Sequence, residues 1–424
     1  MTWALATIAV LLIAFAALSR RLELVNVTAA MFFTTAGLLA GPSVTGLFDL
    51  PVGSHEVKLL AEVTLTLVLF ADASRISLPA LRGELAVPLR LLGVGLPLTI
   101  AAGALAGVAV VPGLSLAESL VLAVMLACTD AALGQAVVTD ERVPSRIRQG
   151  LNVESGLNDG LCVPLFFIAI ALVEADAGTR SAYAAFRLVL EEIGYGVVGG
   201  VAAGVVGGLA LRAAASRGAA ERHWVQILAA GTALLAVGVA LALGGSIFIA
   251  AFTAGFVFAT VRRGCGGEVT YLVDQGGELF SAVTFIVFGA VVLGPALSEF
   301  TWQLVLYAIV SLTAVRMVPV ALAMLGSRAR RPTVAFLGWS GPRGLASIVF
   351  AVILIDEANL PHERSLLLAV VATVGMSVYA HGLSARPLTE RYVRWFRSHP
   401  KAERPAMESV PAAEHPWRTP RPEG

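Results

Sequence analysis

Residues 152–160 read N-V-E-S-G-L-N-D-G and lead directly into an apolar run, L-C-V-P-L-F-F-I-A-I-A-L-V. The chemistry in this stretch belongs to Glu154, Ser155, Asn158 and Asp159. On a helix, Ser155 and Asp159 stand four residues apart and share one face, while Glu154 and Asn158 share the neighbouring face. A second polar group, Thr129 with Asp130, interrupts another apolar run, A-C-T-D-A-A-L-G. Carboxylates and hydroxyls are hard oxygen donors, suited to an alkali cation or a proton and not to a thiophilic metal. An ionisable side chain at membrane depth is costly, so its presence there points to an ion pathway.

The surrounding elements must therefore be membrane spans, and the composition agrees. The chain has 424 residues, 57% hydrophobic and 14% charged, with a mean hydropathy of +0.81. A soluble domain carries roughly a quarter charged residues. Windows of about 17–25 apolar residues fit a bilayer core. They fall near 3–18, 24–40, 57–74, 86–111, 117–138, 149–173, 188–212, 225–243, 246–261, 277–294, 301–325, 333–355 and 365–385. The reading is an all-α polytopic membrane protein of about thirteen spans. The first run has no basic residues ahead of it and no small-residue cleavage site after it, so it reads as a helix and not as a signal peptide.

Basic residues alternate between the loops. One set of alternate loops holds sixteen Lys and Arg, the C-terminal tail adds eight, and the opposite loops hold only Lys58, Arg180, Arg187 and Arg364. The positive-inside rule then puts the N-terminus outside and the C-terminus in the cytoplasm. The tail, 398–424, is rich in Pro and without apolar period, and reads as disordered. Residues 1–397 form the membrane domain.

Two arginines, Arg316 and Arg343, fall inside spans. At about 1.5 Å per helical residue, Asp159 and Arg343 lie about 15 Å deep and Asp130 about 20 Å deep. Glu154 lies about 8 Å in and Arg316 about 14 Å from the cytoplasmic face by the same measure. The first three form a midplane cluster. The last two form a pair nearer the cytoplasm, more structural than transporting. Arg343 is either a counter-charge or a support for a helix break. Asp72, Glu62 and Glu278 read as lying near interfaces or in polar cavities.

The fifth and twelfth spans carry central breaks, around Asp130 and at G-W-S-G-P-R-G around Arg343. Proline and glycine there disrupt helical hydrogen bonding. Paired interrupted helices in two inverted halves point to a transporter binding site. Spans 1–6 and 8–13 then form the inverted repeats, with span 7 linking them. Cys128, Cys162 and Cys265 form neither a disulfide framework nor a metal-ligand spacing. The six histidines are given no chemistry. There is no H-E-x-x-H, P-loop or complete nucleophile elbow, so an enzyme is not expected.

The motifs C-T-D-A at 128–131, E-S-G-L-N-D-G at 154–160, F-A-D-A at 70–73, A-V-R-M-V-P-V at 314–320 and G-P-R-G at 341–344 resemble the NhaP-type sodium/proton antiporters of the monovalent cation/proton antiporter family. The resemblance runs over nearly the whole membrane domain. It implies a homodimer, two crossing interrupted helices, and Asp159 as the residue on which cation and proton compete, with Thr129, Ser155 and Asp130 around it. It makes Asn158 the mark of an electroneutral branch and Glu154–Arg316 a structural ion bridge. The expected activity is exchange of Na⁺ or Li⁺ for H⁺ in the cell membrane, with no cofactor and no nucleic-acid partner. A K⁺/H⁺ antiporter of the same fold and a sodium-coupled organic anion symporter are the alternatives. The Pro-rich tail departs from the family pattern.

Overall fold

The computed structural model describes residues 2–48, 53–76, 86–130, 132–176, 178, 181–262, 267–357, 360–399 and 405–409. Arg82, Arg180, Arg263, Cys265 and tail residues 410–424 lie outside these. Every regular element among the described residues is helical. In chain order they are α1 (Thr2–Leu24), α2 (Ala29–Ala40), α3 (His55–Ser74), α4 (Ala86–Val110), α5 (Leu116–Met125), α6 (Gln135–Val138), α7 (Ser145–Asp176) and α8 (Ala182–Arg217). There follow α9 (Arg222–Leu243), α10 (Ile247–Val261), α11 (Tyr271–Glu299), α12 (Trp302–Leu312), α13 (Ala314–Ala323), α14 (Arg331–Trp339), α15 (Leu345–Glu357), α16 (Glu363–Arg397) and α17 (Ala406–Ser409).

This is a multi-pass membrane protein. Eight helical stretches are long and apolar enough to cross a bilayer, the run α12–α13 among them, and α2, α5, α10 and α15 are shorter apolar helices. The expected thirteen spans exceed what length and apolarity alone qualify, for local reasons. The helices α5 and α15 are halves of interrupted spans, and α3 carries Lys58, Glu62 and Asp72. Two π-helical segments, Leu91–Gly95 in α4 and Phe288–Leu293 in α11, each precede a proline (Pro97, Pro295) that cannot donate to the helix.

Contacts divide the chain into two compact units. The first comprises 1–61, 86–155 and 281–412, and the second 62–85, 156–280 and 413–424. In the second, α8 packs on α10 through Gly196, Gly200, Gly204 and Gly208. A Cβ at Gly200 would stand 2.5 Å from the Ala250 carbonyl oxygen, so the four-residue glycine stripe is what lets the backbones approach. Around it Phe70 and Phe258 pack with a row of buried alanines, Ala203, Ala250 and Ala254 among them.

The first unit holds both interrupted spans, along with α16, whose Tyr392 ring stacks on Phe336 of α14 at 4.3 Å. Part of the stretch expected to be disordered is placed here. Glu408 on α17 is buried and accepts from the Arg330 backbone N–H at 2.7 Å and the Thr333 hydroxyl at 2.7 Å. Arg330 is the N-cap of α14 and its side chain does not cap, so the tail carboxylate serves an amide at that helix start. The composition of the tail gave no hint of this.

Candidate functional site

The two breaks fall where the sequence puts them, between Met125 and Gln135 and between Trp339 and Leu345. A broken helix leaves carbonyls without partners at one stump and amides at the other. At the end of α5, the Arg343 guanidinium donates to the carbonyls of Ala127 at 2.7 Å and Cys128 at 3.1 Å, and the Ser347 hydroxyl donates to Met125 O at 2.7 Å. At the start of α15, Asp130 Oδ2 accepts from the Leu345 N–H at 2.9 Å, while its Oδ1 accepts from Ala132 N at 2.8 Å. A cation at one helix C-terminus and an anion at another helix N-terminus both meet the favourable end of the helix dipole. The Asp130 N–H in turn donates to Pro342 O at 2.9 Å, so each break fastens the other. Of the two roles left open for Arg343, these bonds to the carbonyls are those of break support, and the residue is fully buried.

The glycines of G-P-R-G follow from this packing. A Cβ on Gly341 would come within 2.5 Å of Arg316 Nε, and one on Gly344 would collide with the Asp130 carboxylate. Only a bare backbone lets both charged side chains lie against the break.

On α7, Glu154 takes Arg316 in a two-pronged pair, with Oε1 at 2.6 Å from Nη1 and Oε2 at 2.9 Å from Nη2, and both side chains are buried. The fork geometry suits guanidinium and carboxylate together. Ser155 donates its hydroxyl proton to the Thr129 carbonyl at 2.5 Å, which ties this turn of α7 to the first break. One turn on are Asn158 and Asp159, both buried. Asn158 Oδ1 accepts from the Cys162 thiol at 3.2 Å, so this cysteine does more than fill space. Among the described residues no cluster of three or more His, Cys, Asp or Glu is arranged for a resident metal.

Sequence reasoning missed two groups. Arg75 pairs with Asp72 at 3.3 Å and with Asp274 at 2.5 Å, and Asp274 accepts from the Thr270 hydroxyl, all within the second unit. In the sequence Arg75 reads only as one of the sixteen basic loop residues. His381 is the other. It lies inside α16 and is 4% exposed, and its Nδ1 stands 3.2 Å from Ser377 Oγ. The four-residue spacing of Ser377 and His381 was the available signal.

The family model described as "Sodium/hydrogen exchanger, transmembrane" matches residues 7–391. The chain belongs to this family. A protein of Schizosaccharomyces pombe named as a probable Na⁺/H⁺ antiporter is 26% identical over 268 residues, covering 59% of this chain and 35% of that protein. The Na⁺/H⁺ antiporter of Saccharomyces cerevisiae is 27% identical over 356 residues, covering 76% of this chain and 34% of that one. The chain thus spans about a third of the length of these curated relatives. Among solved structures, the sodium proton antiporter MjNhaP1 of Methanocaldococcus jannaschii superposes with a TM-score of 0.74 over 92% of this chain and 98% of that one, at 16% identity. That likeness gives the sodium/hydrogen exchanger chain the NhaP antiporter fold.

Proposed function

We propose that this chain is a secondary antiporter exchanging one Na⁺ or Li⁺ for one proton by alternating access, with cation and proton competing for Asp159. The observation that carries the reading is the bond from Ser155 to the Thr129 carbonyl. It ties α7, four residues before Asp159, to the break bearing Asp130, and the reading takes Asp159, Asp130, Ser155 and Thr129 as the oxygens offered to a bare cation. Burial penalises a charged carboxylate, and either a proton or an alkali cation relieves the penalty. The two are therefore mutually exclusive ligands. An empty, charged carboxylate is costly to carry across, which couples the two fluxes.

Asn158 does not titrate, and Glu154 is held by Arg316, so a single carboxylate exchanges charge for charge and transport is electroneutral. The basic loops support an outside N-terminus and a cytoplasmic C-terminus in the cell membrane. The homodimer rests on the family resemblance, and the role is transport and not catalysis.

Proteoliposomes with an imposed pH gradient test this. Na⁺ and Li⁺ should dissipate the gradient, K⁺ should do so weakly, and clamping the potential with valinomycin should leave the reversal point unchanged. Dissipation by K⁺ alone would favour a K⁺/H⁺ exchanger. A voltage-dependent reversal point would overturn electroneutrality, and sodium-dependent uptake of an organic anion without proton movement would overturn antiport.

A further inference from the structure

The second break is held from outside by one face of α16. Ser377, His381 and Ser384 lie four and three residues apart, the spacing of one helix face. Ser384 Oγ accepts from the Trp339 indole N–H at 2.9 Å, and the His381 ring stacks on the Trp339 indole at 4.8 Å. His381 Nδ1 faces Ser377 Oγ at 3.2 Å and the Ser377 carbonyl at 3.1 Å. Ser377 Oγ accepts the Arg343 N–H at 2.7 Å. The face thus grips the stump of α14 through Trp339 and the far side of the break through Arg343. Between them lies Pro342, whose carbonyl accepts the Asp130 N–H, and beyond them Leu345, whose N–H binds the Asp130 carboxylate.

We infer that Ser377 and His381 are positioning residues for the cation site, setting the place of Asp130 through the backbone of residues 339–345. The inference rests on the exchanger reading above. Because Ser377 Oγ accepts from Arg343, its own proton is free to go to His381 Nδ1. With Nδ1 within reach of both the Ser377 hydroxyl and the Ser377 carbonyl, the imidazole holds Ser377 in either tautomer while its ring stacks on Trp339. Losing either bond lets the break relax, and Asp130 moves with it without any change in the groups that touch the cation. Outer-shell partners of metal ligands typically contribute about 10–100-fold to affinity or activity.

The test compares Ser377→Ala, Ser377→Thr, His381→Ala, His381→Asn and His381→Gln in proteoliposomes, with detergent-purified protein melted in parallel. Na⁺-driven proton movement is recorded over a range of Na⁺ concentrations. Ser377→Ala and His381→Ala should raise the apparent KM for Na⁺ by about tenfold, with a smaller change in maximal rate. Ser377→Thr, which keeps the hydroxyl, should restore most of it. His381→Asn, which keeps a polar atom near Nδ1, should restore more than His381→Gln, since Gln reaches the Nε2 position and leaves Ser377 unserved. If all five variants show the wild-type KM, or lose maximal rate and melting temperature together with no rescue, the positioning role is wrong. A wild type that moves no protons on addition of Na⁺ would instead fail the exchanger reading itself.

Discussion

Helix α7 carries two buried carboxylates five residues apart, and the turns that lead to them are held differently. The turn with Glu154 is closed by both guanidinium nitrogens of Arg316, each at hydrogen-bond distance. The next turn, with Asp159, follows a serine whose hydroxyl is committed to a backbone carbonyl of the interrupted span. Glu154 faces a guanidinium fork, whose planar donors match both carboxylate oxygens. Asp159 stands one turn beyond the Ser155–Thr129 tie. On the proposed reading one of these carboxylates holds a guanidinium and the other is traded, and burial does not separate them, since both side chains are buried.

Three changes should break or sharpen that contrast. The largest effect is on transport. Asp159→Asn removes the proposed proton site while keeping the side chain's size and shape, so exchange should fall to the liposome background while size-exclusion elution stays near wild type. Activity close to wild type would move the site elsewhere. The second effect is on stability. Glu154→Gln or Arg316→Ala alone strands a buried charge, and breaking such a pair costs about 3–5 kcal/mol in soluble proteins. The double variant should recover part of that loss in thermal melts, and strictly additive losses would deny the coupling.

The smallest effect is at the exposed pair Asp140–Arg142, outside the apolar helices, with Nη2 2.7 Å from Oδ2 and Arg142 half exposed. Partial burial works against the Asp140 carboxylate, but hydrogen bonds from the Arg142 side chain and backbone hold it below the usual range. Arg142→Ala should cost about 0–1 kcal/mol. Because the folded value is the lower one, this contribution is complete above the ordinary carboxylate value of about 3.9 and is lost as pH falls through the folded value. Melts of wild type and Arg142→Ala should therefore converge only in strong acid.

Much of this was legible in the sequence. The breaks announced themselves through Gly341, Pro342 and Gly344, which no uninterrupted helix tolerates well, and the depth of Glu154 and Arg316 forecast their pairing. What was not legible is instructive. A lone histidine in an apolar run looks like packing, and only the fold reveals that His381 faces the break. Arg75 looked like a loop charge because its partner Asp274 is far away in the sequence. Glu408 sat in a Pro-rich tail, where composition argues against order, yet one carboxylate that meets a helix start is enough to dock a short turn. The role of Arg343 could be narrowed only when the carbonyls of Ala127 and Cys128 were seen at its guanidinium. In each case the missing information was a contact between distant segments, which periodicity does not encode.

The central claim is that proton and cation compete for one carboxylate, and the pH dependence of sodium activation tests it most directly. Initial rates of Na⁺-driven proton movement in proteoliposomes would be measured over a range of Na⁺ at several symmetric pH values. Competition at Asp159 predicts that the apparent KM for Na⁺ rises in proportion to proton concentration on the acid side, while the maximal rate at saturating Na⁺ stays constant. A maximal rate that falls with acid at an unchanged KM would place the proton and the cation on different groups and contradict the account.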